Sequence, residues 1–304
     1  MRDVLSRLFL ASSLVATGLI VPPATAPAAA VTTAGVKVAI IVGPTGSLTD
    51  RYRSRADQVA AAARAAGATV AKAYSPRATW PRVLDAVRGA NIIVYLGHGN
   101  GHPNPYSRTE LRDRTNGWGL NRTTTHGDRD DWTRTLAYCG EKALLGTLSA
   151  SDGSVQRRYC KGGPIRPAPG FVMIYAQAHY APGFGERYQR SDPLTTLKQA
   201  RRRVANYSFP VLRRGASAYF ATAYGDAHRL VARLLAHPGM SYGWAFKQGG
   251  GYRAVALRTG RHPDVSAYVW VQRTVIKGFH FGQADYWYAF AGHPHWTPGG
   301  AAFH

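Results

Sequence analysis

The chain reads as an α/β protein: a three-layer sandwich around a mainly parallel central sheet, with a β-rich C-terminal extension. Three observations lead there. Short β-branched runs bounded by glycine alternate with longer segments whose apolar residues recur at helical spacing. Their order, strand, helix, strand, helix, strand, favours parallel pairing through crossovers. After residue 240 the pattern changes to short aromatic and β-branched runs suited to antiparallel strands.

The elements follow in order. "VKVAIIV", residues 36–42 between Gly35 and Gly43, is a buried strand, and "GPTGSLTDRYRS" after it reads as a loop. Alanine-rich residues 56–66 form a helix stopped by Gly67, and "ATVAKAYS" is a second strand. Pro81 suits a first helical turn, and Val83, Leu84 and Val87 share a face. Ile92–Leu96 is the third strand. Residues 100–131 are polar and too long for an ordinary connection, so they read as a binding or lid loop. Residues 132–148 carry a helical reading; 151–170 have no periodicity. "FVMIYAQA" is another strand, and apolar residues from Pro193 to Leu212 mark a helix that Pro210 is expected to kink or split. "ASAYFATAY" is a fifth strand. Asp226 is read as the cap of the next helix, which ends near Gly239. "YRAVALRT", "SAYVWVQRTVIKGFHF" and "DYWYAFAGH" then extend the sheet or form an appendage.

At the N-terminus, Arg2 and Arg7 precede an apolar run, Leu8 to Val21, which is short for a membrane span. Residues 1–30 are expected to be a signal peptide cut near Ala28-Ala29-Ala30, making the protein secreted or envelope-associated. The division expected is 31–239 for the α/β domain and 240–304 for the extension. No membrane span is expected in the mature chain. Two cysteines, Cys139 and Cys160, fit a disulfide in an exported protein, the other reading being two buried thiols. The formal charge of +22 attracts polyanions, or simply keeps the surface soluble. No zinc-finger spacing or aromatic sheet motif points to nucleic acid.

The chemistry concentrates where strands end. In an open parallel sheet ligands gather beyond the carboxyl ends of strands, and the third strand runs into Gly97-His98-Gly99-Asn100. The later strand "FVMIYAQA" runs into His179 and Tyr180, followed by Glu186 and Asp192. "VYLGHGN" and "MIYAQAHYAPG" resemble the two dyad elements of the caspase-like and gingipain-like cysteine peptidases, with His179 where the nucleophilic cysteine stands. The stretches "YLGHGNG", "GWGLN" and "YAPG" are also similar to those of a group of secreted bacterial proteins. The resemblance, over residues 36 to 236, implies a peptidase-like fold with a retained cleft histidine, His98, and a degenerate nucleophile position, His179. An imidazole does not replace a thiolate. The resemblance therefore implies a pseudopeptidase that binds a peptide or an anionic cell-envelope polymer, without a cofactor.

Other readings remain open. His98 and His179, with Glu186 or Asp192, are a possible zinc ligand set for a metal-dependent or otherwise divergent hydrolase. A third reading makes both histidines structural, their imidazole nitrogens satisfied by backbone groups at the strand ends. Tyr106 and Trp118 either wall the cleft or pin the long loop to the body, the latter being favoured because ordering such a loop requires burial of something apolar. Arg201-Arg202-Arg203 reads as the wet face of its helix. Asn121 begins a formal glycosylation pattern, "NRT". The other histidines, His228 and His262 among them, are assigned no functional role.

Overall fold

The computed structural model describes residues 35–101, 116–131, 133–185, 194–275 and 284–301. The signal-peptide expectation, Tyr106, Glu186 and Asp192 fall outside these ranges.

The first elements are β1 (Lys37–Val42), α1 (Thr49–Ala65), β2 (Thr69–Tyr74), α2 (Trp80–Val87) and β3 (Ile92–Leu96). A short hairpin follows, β4 (Trp118–Asn121) with β5 (Leu136–Cys139), then short helices α3 (Glu141–Leu145) and α4 (Ser154–Tyr159). Next come β6 (Val172–Ala176), α5 (Leu197–Arg213), β7 (Ala218–Thr222), α6 (Ala227–Ala236) and α7 (Tyr242–Lys247). The chain closes with β8 (Leu257–Arg261), β9 (Tyr268–Val275), β10 (Ala284–Gly292) and α8 (Pro298–Ala301).

Eight strands form one sheet in the order β2-β1-β3-β6-β7-β10-β9-β8. The first five are parallel; β10, β9 and β8 add on antiparallel, continuing the sheet past β7. Strands β1, β3, β6 and β7 are buried on both faces, which is why they read as nearly continuous apolar runs. Alternation then divides their side chains between two cores. Val38, Ile40, Val94, Ile174 and Phe220 pack with α1, α6 and α7. Ile41, Ile93, Tyr95, Tyr175 and Tyr219 pack with α2, α5 and the β4–β5 hairpin on the other face. The three-layer sandwich is thus the direct result of period-two strands between period-3.6 helices. Each fully buried Val or Ile in it contributes about 1.5–3 kcal/mol.

Several local expectations are corrected. Helix α1 begins at Thr49, not at Ala56: Thr45 N–H bonds Thr49 Oγ1 and Arg53 pairs with Asp50, so a polar turn precedes the alanine stretch. Residues 132–148 are not one helix, since Leu136, Ala137, Tyr138 and Cys139 are drawn into pairing with β4. Residues 154–159 are helical where no periodicity was legible. Pro210 does not break α5. It lies in the last turn, where one backbone donor is lost, and Ser208 Oγ and His262 Nε2 donate to the Val204 and Ala205 carbonyls. His262 Nδ1 accepts from Asp264 N–H, which leaves the proton on Nε2 and makes this buried imidazole a structural donor. Asp226 stands at the head of α6, but its carboxylate accepts from Thr222 Oγ1 rather than from a helix N–H.

Arg203 is buried, not on a wet face: three consecutive helical residues span about 200° and cannot share one side. Its guanidinium donates to Gly183 O and Thr195 Oγ1 and lies 5.0 Å from the Tyr180 ring. Asn121 is buried with Nδ2 donating to Gly127 O, so its "NRT" pattern offers no glycosylation surface in the folded protein. Cys139 and Cys160 form a disulfide, Cα–Cα 5.4 Å, linking the end of β5 to the end of α4. Closing a loop of this length contributes about 3 kcal/mol in the chain-entropy model.

Candidate functional site

Leu96 of β3 and Ala176 of β6 are in register, so the segments following them leave the sheet side by side. Their backbones nearly touch. A Cβ placed on Gly99 would stand 1.8 Å from the His179 carbonyl oxygen, and one on Gly101 2.3 Å from Tyr180 Cβ. Glycine is required here for close approach of one main chain to another.

Buried phenols hold these exits. Tyr95 OH donates to His98 O and accepts from Gly119 N–H, both at 2.8 Å, tying the histidine's backbone to the β4–β5 hairpin. Asn100 N–H meets the hydroxyls of Tyr138 and Tyr207 at 3.0 and 2.8 Å. Tyr138 gives its proton to Gly117 O, which leaves Tyr207 as donor across the 2.8 Å contact between the two phenols. Tyr219 OH donates to Ala181 O at 2.7 Å on the β6 side. Burial pushes the pKa values of Tyr95, Tyr175, Tyr207 and Tyr219 well above the ordinary phenol value, so all four stay neutral and Tyr95, Tyr207 and Tyr219 remain donors. Trp118 pins the hairpin: it is wholly buried, its ring centroid 6.1 Å from that of Trp80 and 6.2 Å from that of Tyr95.

The two histidines sit in different surroundings. His98 is half-buried beneath the hairpin, with Gly119 close to its Cβ and Nε2 3.5 Å from Asp130 Oδ2. Asp130 rides on a loop that Asp128 anchors: Gly46 N–H donates to Asp128 O, and Ser75 Oγ and Arg53 bond its carboxylate. At 3.5 Å the contact between Asp130 and His98 is longer than the hydrogen bond that orients a base, and it is an ion pair only when the imidazole is protonated. His179 is exposed and packs edge-on against Phe184 at 5.3 Å, toward the β10 side. It is presented on a turn in which Gln177 and Tyr180 both adopt left-handed conformations, φ 61° and 64°. For residues other than glycine such backbone costs about 1–3 kcal/mol and collects at functional sites. Among the described residues, no three His, Cys, Asp or Glu side chains gather to hold a metal.

A small pocket opens at the ends of β3, β6 and β7, lined by Leu96, Gln177, Arg55, Tyr224 and His228. The buried Gln177 Oε1 has no hydrogen-bond partner among the described residues. Its open space is about 10 Å³, room for a single water, with the Arg55 cation in its lining. Sequence reasoning passed over Arg55, Gln177 and His228, and also Asp130 and the phenols. Only the phenols left a signal: Tyr95, Tyr175 and Tyr219 stand in strands that are otherwise almost wholly apolar, and a buried tyrosine hydroxyl calls for a partner.

No family model, curated protein or solved structure matches the chain. The architecture is an α/β fold with a mostly parallel central sheet, compatible with a caspase-like fold. No helix among the described residues is long and apolar enough to cross a membrane.

Proposed function

We propose that this is a secreted, non-catalytic protein of caspase-like fold that keeps the cleft and uses it to bind a peptide or an anionic cell-envelope component. The observation that carries the reading is the fate of sulfur. Cys139 and Cys160 are the chain's only cysteines, and they are buried and joined to each other. The exit that resembles the nucleophile position carries His179, and acyl transfer by a cysteine peptidase needs a thiolate there. What remains supports recognition: the Arg55 cation stands beside that exit, on a chain of net charge +22.

One observation favours a second reading, a divergent or zinc-assisted hydrolase: the Asp130 carboxylate beside His98. The two readings part in one experiment on the mature protein. It is assayed against a mixed peptide-substrate library, with and without added zinc, and titrated with fluorescent peptides ending in Asp or Glu. Binding without turnover, weakened about ten-fold by Arg55→Ala, is the expected result. Turnover that disappears in His98→Ala would replace the binding reading with the hydrolytic one.

A further inference from the structure

A second feature lies at the far edge of the sheet. Strand β2 is the terminal strand. Thr69 N–H and Ser75 N–H donate to Val36 O and Val42 O at 2.9 and 2.7 Å, so the odd-numbered residues face β1. By alternation the N–H groups of Val70, Lys72 and Tyr74 point outward from the sheet. An edge of this kind is a template for another strand.

A groove of about 460 Å³ runs along this edge against α2, within the size range of ligand sites. Ala71, Ala73 and Ala86 leave room in it, and Lys72, Arg77, Arg82 and Asp85 supply its charges. Lys72 is answered by Asp57 at 2.6 Å, and Asp85 by Arg88 at 3.5 Å. Arg77 and Arg82 are exposed and form no ion pair among the described residues. Two unanswered arginines beside an open strand edge call for a partner that brings both backbone and carboxylates.

We propose that the β2 edge binds an extended acidic segment of another protein, which adds as a further strand while its carboxylates meet Arg77 and Arg82. A second copy of this chain is a poor occupant, because two β2 edges would bring their arginines and Lys72 together on molecules of net charge +22. Edge addition takes affinity from main-chain hydrogen bonds and specificity from alternate side chains. It is independent of the pocket at Arg55 and Gln177.

The test uses the mature protein and a fluorescein-labelled peptide of alternating Glu and Val, as long as β2, followed by anisotropy. Binding is expected, weakening as salt rises. The double variant Arg77→Glu/Arg82→Glu should lose about ten-fold in affinity with an unchanged thermal midpoint. The same peptide N-methylated at alternate residues, which removes its strand-pairing donors, should also lose about ten-fold. Arg55→Ala should leave this binding intact, separating it from the pocket's ligand. Equal binding of the N-methylated peptide would reduce the site to charge attraction and overturn strand addition. Unaltered affinity in the double arginine variant, or absence of binding, would overturn the site itself.

Discussion

The exits of β3 and β6 leave the sheet next to one another, yet they are built differently. The β3 exit is clamped: tyrosine hydroxyls hold His98 O and Asn100 N–H, the β4–β5 hairpin covers it, and Asp130 meets the imidazole. The β6 exit is braced from behind by Tyr219 and Arg203, while His179 itself stands exposed between two left-handed residues. One histidine is positioned and the other is displayed. The contrast suits a surface on which one side is preformed and the other meets a ligand, as pre-organisation lowers the cost of binding only where groups are already held.

This contrast can be broken at its base. The double variant Cys139→Ala/Cys160→Ala removes the tie beneath the hairpin, and urea unfolding should show a loss of about 3 kcal/mol. A smaller effect is expected from Gly99→Ala, whose methyl group would enter the space of the His179 carbonyl. It should cost about 2 kcal/mol and disturb both exits at once, visible as amide shift changes on either side. Tyr95→Phe should cost about 1–2 kcal/mol and act on the β3 exit alone, because it leaves Gly119 N–H buried without its acceptor. Faster hydrogen exchange at the Gly119 amide, with the Ala181 amide unchanged, is the measurement that sharpens the contrast. His179→Ala should change stability by less than about 0.5 kcal/mol, as befits an exposed side chain. A loss above about 1.5 kcal/mol would mean that this histidine is held as firmly as His98.

The legible parts of the fold were those whose signal is local. β1, β3, β6 and β7 announce themselves as nearly continuous apolar runs because both faces are buried, and α2 and α6 by apolar spacing. β4 and β5 did not, since four-residue strands such as "WGLN" and "LAYC" are too short to show a period. Their pairing is decided by the floor they cover, where Trp118 fills the space between Trp80 and Tyr95. Arg203 misled for a related reason, as a charge run suggests solvent until the helix is placed and one member faces inward. In the site, His98 and His179 could be found from strand ends and glycines. Asp130 and Arg55 could not, because 32 residues in one case and a whole helix layer in the other separate them from the motifs they join.

By itself the sequence determined the alternation of strands and helices, the glycines at the exits and the oppositely signed shortage of acid and excess of base, because each is a property of neighbouring residues or of composition. Tertiary structure alone decided that three further strands would lengthen the same sheet, that the sulfurs would meet, and that phenols from distant elements would hold the histidine-bearing turns. Those outcomes depend on pairings between remote segments, and such pairings form only where burial of apolar surface outweighs the entropy of closing the chain between them.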